Sequence, residues 1–329
     1  MLRATTIDQP VRLVRWALAA ITLCATLSLG HVRADDTLPA ATGPQVAHAL
    51  LLDATRVGER IVAVGERGIV LYSDDDGASW KQAAVPVDTT LTAVTFADGE
   101  HGWATGHDAV ILATEDGGAT WTKQYSDPEL DVPLLGLHFE DAKHGFAIGG
   151  RGNIFRTSDG GKTWTNQVLM TRDEFDSHLF GLGKSESGSL FIASEQGVLY
   201  RSDDGGANWL QLDSPYIGSF FGVAFPGGGR IVAYAMLGNV AVSDDNGLSW
   251  RMVPSGTDKS FMSGTVNADG SLVLAGLDGA IVASRDRGDT FQTLPQIDRR
   301  KIARLLPTRD GAWLLFGEGG VHRVKLAVN

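Results

Sequence analysis

Six aspartates recur in one eight-residue phrase, and carboxylates at fixed spacing could do two kinds of chemistry. The phrase is Ser/Thr-x-Asp-x-Gly-x-Ser/Thr-Trp, seen most clearly at 157–164, and it places Asp75, Asp116, Asp159, Asp204, Asp245 and Asp286. Such groups could act as general acids or bases, or as oxygen ligands for calcium. Catalysis by carboxylates calls for two groups in unlike environments, whereas these six occupy equivalent places. Calcium takes about six to eight oxygens, more than one such turn supplies. The reading that fits is structural. Each Asp can accept backbone N–H bonds of its own turn, and the Gly two places on permits a positive φ. Trp80, Trp121, Trp164, Trp209 and Trp250 then return the chain to a sheet; a sixth copy ends in Phe291. No metal and no cofactor is expected.

Other candidates for chemistry are sparse. The eight histidines are scattered; His101 and His144 share a place before a Gly, while His107, His138 and His178 show no ligand spacing. There is no Gly-x-Ser-x-Gly elbow, no His-Glu-x-x-His and no phosphate-cradling loop. Tyr72 and Tyr200 occupy matching places, which points to packing.

The phrase needs elements to position it. Upstream of its second copy, Leu91–Phe96 alternates as a half-buried strand does. A turn at 98–102 leads to Trp103–Gly106, a turn at His107-Asp108 leads to Val110–Thr114, and a polar fourth strand follows from Trp121. Four antiparallel strands in about forty residues make a propeller blade. The closing aromatics at 80, 121, 164, 209, 250 and 291 step by 41, 43, 45, 41 and 41, a period that marks a repeat array. A further three-strand unit follows Phe291. The expected fold is all-β, a single seven-bladed β-propeller of four-stranded blades over 48–329. The leader at 35–47 is expected to supply the missing outer strand through 42–47. An open solenoid is the alternative.

Residues 1–34 read as a secretory signal: Arg3, Arg12 and Arg15, an apolar run from Trp16 to Gly30, then Val32-Arg33-Ala34. A retained signal anchor is the alternative. Cleavage removes Cys24, the only cysteine, with four arginines and one aspartate, so the formal charge of −11 becomes −14. That acidity argues against binding nucleic acid, which rests on Lys and Arg at phosphates. An exported, periplasmic monomer is expected.

The phrase is the Asp-box, or bacterial neuraminidase repeat, and resembles repeats of sialidases, the sortilin ectodomain, two-propeller xyloglucanases and the photosystem II stability and assembly factors. The last resemblance covers nearly all of the chain after 34, because 141–157 reproduces that family's blade pattern up to the box. It implies a photosynthesis-linked, non-catalytic scaffold that binds a protein of a membrane-embedded or envelope complex, in an assembly or exporter-accessory role. A sialidase-like site would need several arginines for the substrate carboxylate and a Tyr nucleophile with Glu, and no motif here links a Tyr to a carboxylate. A xyloglucanase-like site would need two carboxylates across a cleft between two propellers. An enzyme is therefore not expected; a glycan hydrolase or a carbohydrate-binding module is the alternative.

Propeller geometry puts the boxes on one face and recognition on the other. The turns between second and third strands carry Arg67, His107, Asp108, Arg151, Glu195, Asp278 and Glu318, a polar ring around the channel mouth. Links between blades on the same face add Arg172, Tyr216, Arg299 and Arg300. Loops on a rigid scaffold carry recognition, and Arg and aromatic residues anchor interfaces. Phe220 and Phe221 are adjacent, and either could belong to the core instead.

Overall fold

A computed structural model describes residues 38–43, 46, 48–170, 177–295 and 298–326. Their strands form seven antiparallel sheets, each in simple sequence order. The innermost strands are Leu51–Val57, Leu91–Phe96, Leu134–Phe139, Leu179–Lys184, Phe220–Ala224, Phe261–Val266 and Ile302–Pro307. Each begins one blade, numbered one to seven in chain order. Second strands are sandwiched between neighbouring blades, so both faces are apolar: every residue of Leu190–Ser194 and Ile231–Ala235 is buried. The fourth strands form the wet rim, as at Thr165–Val168, exposed throughout. Among the described residues no helix is long and apolar enough to cross a membrane.

The core lies between blades. Seven apolar clusters each join a pair of adjacent blades, and Val62 and Val64 of blade one, for example, pack with Leu91 and Leu112 of blade two. Blade one meets blade seven through Leu71, Leu314 and Phe316, with Trp80 edge-on to Phe316 at 5.8 Å. Across the same seam Arg304 Nε donates to the Ala54 carbonyl at 3.1 Å, and Arg56 Nη2 to the Pro307 carbonyl at 3.0 Å. The ring closes by packing as well as by hydrogen bonds, which leaves no open seam between first and last blades.

Six sheets have four strands; the seventh has three among the described residues. The expected closing strand at 42–47 falls partly outside those residues. Where the leader is described, Ala40 N–H donates to the Val85 carbonyl and Ala41 N–H to that of Arg67, both at 3.2 Å, while Val46 is buried with Leu306, Leu314 and Phe316 at the seam between blades one and seven. Gln82 Nε2 holds the Ala41 carbonyl at 2.6 Å, and Ala40 is buried with Val62 and Val85. The signal expected over 1–34 lies outside the described residues.

The boxes work as local hydrogen-bond locks. In the third blade the buried Thr157 hydroxyl donates to Asp159 Oδ1 at 2.9 Å and accepts the Gly161 N–H at 2.8 Å. Asp159 Oδ1 also accepts the Thr163 N–H at 2.9 Å, and Oδ2 accepts its hydroxyl at 2.7 Å. All six boxes repeat this pattern, with the Asn208 amide replacing the hydroxyl in one. The indole or ring that ends each box joins the cluster shared with the preceding blade.

These bonds favour the ionised carboxylate. The Ser79 hydroxyl and amide hold Asp75 down at about 2; Thr163 does the same for Asp159, and the Asn208 side chain for Asp204. A carboxyl depressed in the fold contributes stability above its unfolded value of about 4, and that stability is lost as pH falls toward 2. The denaturant midpoint should therefore hold steady from pH 7 to pH 5 and drop steeply between pH 4 and pH 2. A midpoint indifferent to acid in that window would contradict the lock.

Candidate functional site

The face opposite the boxes is built from three-residue turns and the links between blades. In four of the turns the amide of the third residue donates to a link carbonyl: Gly68 to Thr89 at 2.8 Å, Ala109 to Val132 at 3.0 Å, Gly152 to Ser177 at 2.8 Å and Gly197 to Gly218 at 2.7 Å. The middle residue is left-handed, with φ between +53° and +57° for Arg67, Asp108, Arg151, Gln196, Leu237 and Asp278. Non-glycine residues rarely adopt that conformation. It aims the middle side chain outward, and Arg67, Asp108, Arg151 and Asp278 are all exposed.

The structure separates the expected ring into two groups. Three first residues of the turns, all Glu, are internal ties: Glu66 Oε1 accepts the Leu50 N–H at 2.9 Å, Glu195 Oε2 that of His178 at 3.0 Å, and Glu318 Oε2 that of Lys301 at 3.2 Å. Glu195 and Glu318 thus hold the start of the innermost strand in their own blades. Outward residues remain for contact. Arg151 lies 3.9 Å from Asp131, Asp278 lies 3.6 Å from Lys259, and Asp108 accepts from the Thr89 hydroxyl at 3.0 Å. His107 is exposed beside them.

Among the link residues, Tyr216 is a packing group. Its hydroxyl donates to the Met236 carbonyl at 3.1 Å and its ring stands against Phe220 at 5.2 Å; the neighbouring Ile217 is 90% exposed. Arg299 and Arg300 are exposed, and Arg300 lies 3.3 Å from Asp298 while resting against the His322 ring. Arg172 lies outside the described residues.

One feature of this face was not read from the sequence. Each innermost strand carries a β-bulge at its second residue, because pairing to the second strand skips Leu52, Thr92, Leu135, Phe180, Phe221, Met262 and Ala303. A bulge re-aims its side chain. All seven bulged residues line the central channel, a cavity of about 550 Å³. Phe220 pairs with Ala235 and is fully buried, whereas Phe221 is the bulged neighbour at the channel mouth. Phe180 and Phe221 stand edge to face at 5.1 Å, so the mouth has an apolar collar inside the polar ring.

Below the collar lies a charged pair. Asp53 Oδ2 accepts the Val94 N–H at 2.9 Å, and its other oxygen lies 3.5 Å from Arg304 Nε. Burial raises the Asp53 carboxyl above its ordinary value, with the Arg304 charge and two backbone amides acting against it. Among the described residues Asp53 is the one carboxylate lining the channel, and no second carboxylate there opposes it. Tyr200 is buried in the blades, its hydroxyl raised to about 12 by burial. His138 is lowered by burial. His101 and His144 hold Asp98 and Asp141 of their own turns at 2.9 Å. Among the described residues, no group of three or more His, Cys, Asp or Glu converges to hold a metal ion.

Comparison with known proteins places this geometry. No curated protein matches the chain. Among solved structures, "YCF48 bound to D1 peptide" is 22% identical with a TM-score of 0.69, covering 88% of this chain and 97% of that one. YCF48 from Cyanidioschyzon merolae is 17% identical with a TM-score of 0.69, covering 88% and 98%. A streptogramin B lyase, 13% identical with a TM-score of 0.73, covers 85% and 94% and shares the fold. The family model described as photosynthesis system II assembly factor YCF48 matches residues 73–134 and 127–294, more than half of the sequence. The chain therefore belongs to the YCF48 assembly-factor family.

Proposed function

We propose that this chain is an exported, periplasmic, non-catalytic scaffold that binds a protein partner, a subunit of a membrane-embedded or envelope complex, on its turn-and-link face. The observation that carries the reading is membership of the assembly-factor family, together with a similar propeller solved with a peptide bound. The local geometry supports it. Box carboxylates are committed to their own turns, the channel offers one carboxylate among the described residues, close to Arg304, and the middle residues of the turns face outward on the opposite face. A rigid surface of this kind acts sterically, holding an assembling subunit until its permanent neighbours arrive. The chain works as a monomer.

The test is recovery of a stoichiometric membrane protein by the tagged full chain from envelope membranes, beside turnover of a glycoside panel. The reading predicts capture without turnover. Turnover without capture would favour a glycan-directed hydrolase.

A further inference from the structure

We infer that the central channel holds a site for a small apolar zwitterion: a free α-amino acid whose carboxylate meets Arg304, whose ammonium meets Asp53 and whose side chain rests on the collar. The inference goes beyond the scaffold reading and does not depend on it. Register carries it first. The residue that follows each bulge pairs with the next-to-last residue of the second strand. In five blades that position is small, as Ala93, Gly136, Gly181, Gly222 and Ser263; blades one and seven, neighbours at the closing seam, place Asp53 and Arg304 there. One pair of opposite charges thus stands at a level of the channel wall that is otherwise small.

The guanidinium is only partly used. Arg304 Nε donates to the Ala54 carbonyl at 3.1 Å, and the same nitrogen stays 3.5 Å from Asp53, too far for a strong hydrogen bond. No described residue accepts from its two Nη groups, and the side chain lines the channel while 33% exposed. Tyr234 adds a third group. It reaches the channel from a second strand because blade five and blade six carry glycine where it passes: a Cβ at Gly222 would stand 2.2 Å from the Tyr234 hydroxyl oxygen, and one at Gly264 2.7 Å from its ring. The residue is only 6% exposed. Its hydroxyl lies beside the Gly264 amide, and no described residue accepts its proton.

The pair selects the class of occupant. A lone anion would be repelled by Asp53 and a lone cation by Arg304. A free α-amino acid carries both charges on one carbon, as close together as Asp53 and Arg304 are. The Nη fork can hold its carboxylate by parallel charge-assisted bonds, with the Tyr234 hydroxyl as a further donor, and Asp53 can accept from its ammonium. A neutral sugar would bring no charge to either partner, and Phe180 and Phe221, edge to face, offer it no flat platform. The cavity of about 550 Å³ lies within the range of about 300–1,000 Å³ usual for small-molecule sites.

The probes are L-leucine, 4-methylpentanoate without the amine, 3-methylbutylamine without the carboxylate, N-acetyl-leucine amide without either charge, and glucose. Calorimetric titration of the full chain should show leucine binding at least about 10-fold more tightly than each of the others, because a site built to pair a polar group rejects the analogue that lacks it. Arg304→Gln should weaken leucine at least about 10-fold and remove the preference over 3-methylbutylamine. Since Arg304 also ties the closing seam, Tyr234→Phe is the second variant: it keeps the ring and its packing, and should weaken leucine about 5-fold with the denaturant midpoint little changed. Absence of leucine binding at millimolar concentration would overturn the proposal. So would equal binding of leucine and 4-methylpentanoate, equal binding of the blocked amide, tighter binding of glucose, or indifference to both variants. Recovery of a membrane protein bears only on the scaffold reading, so either conclusion can fail while the other stands.

Discussion

Replacing Phe220 by Ala should lower stability by about 4 kcal/mol, the usual cost of emptying a buried aromatic site. Its ring has no exposed surface and packs with Phe191, Leu199 and Ile231 across the fourth and fifth blades. Phe221→Ala, one residue on, should cost only about 1 kcal/mol, because that ring stands at the open channel mouth. Urea midpoints of the two variants check the pair. Equal losses would mean that the bulge does not divide the two rings between core and channel.

The second large effect concerns a turn glycine. Gly197 has φ +73°, and a Cβ there would stand 1.7 Å from the Tyr216 carbonyl oxygen. That oxygen belongs to backbone and cannot swing aside, so Gly197→Ala must open the contact between turn and link. A loss of about 3 kcal/mol or more is expected. Gly205 separates the clash from the backbone strain. Its φ is +66°, yet nothing lies within 4 Å of its added Cβ. Gly205→Ala should therefore cost only the left-handed penalty of about 1 to 2 kcal/mol. Denaturation of both variants decides the matter, and similar losses would mean that the close approach at Gly197 is slack.

How much of this could be read in the chain follows from how local each interaction is. The Asp-box was legible because its bonds close within eight residues, so Thr157, Asp159, Gly161 and Thr163 announce them by spacing alone. The number of blades followed from the same spacing. The left-handed turn position was half legible: Arg67, Asp108, Arg151 and Asp278 could be placed on the face, but their shared backbone conformation was not visible. Glu195 and Glu318 read as surface charge because their backbone partners lie 17 residues away in sequence. The collar was hidden for a related reason. A bulge is a property of pairing between two strands, so Leu51 and Leu52, or Phe220 and Phe221, look alike until the register is known. The place of Ala40 was not legible because the pocket it fills is assembled by residues of the first two blades.

The scaffold account stands most directly on which face touches the partner. In a Cys24→Ser background, Leu237→Cys places a thiol at an outward turn position that is 64% exposed, and Ala207→Cys places one on an exposed box turn. Each variant is coupled to a polyethylene glycol maleimide and used to capture the partner from envelope membranes. The account predicts that the polymer at 237 abolishes capture while the polymer at 207 leaves it at the unmodified level. Capture that survives modification at 237 and is lost at 207 would contradict it.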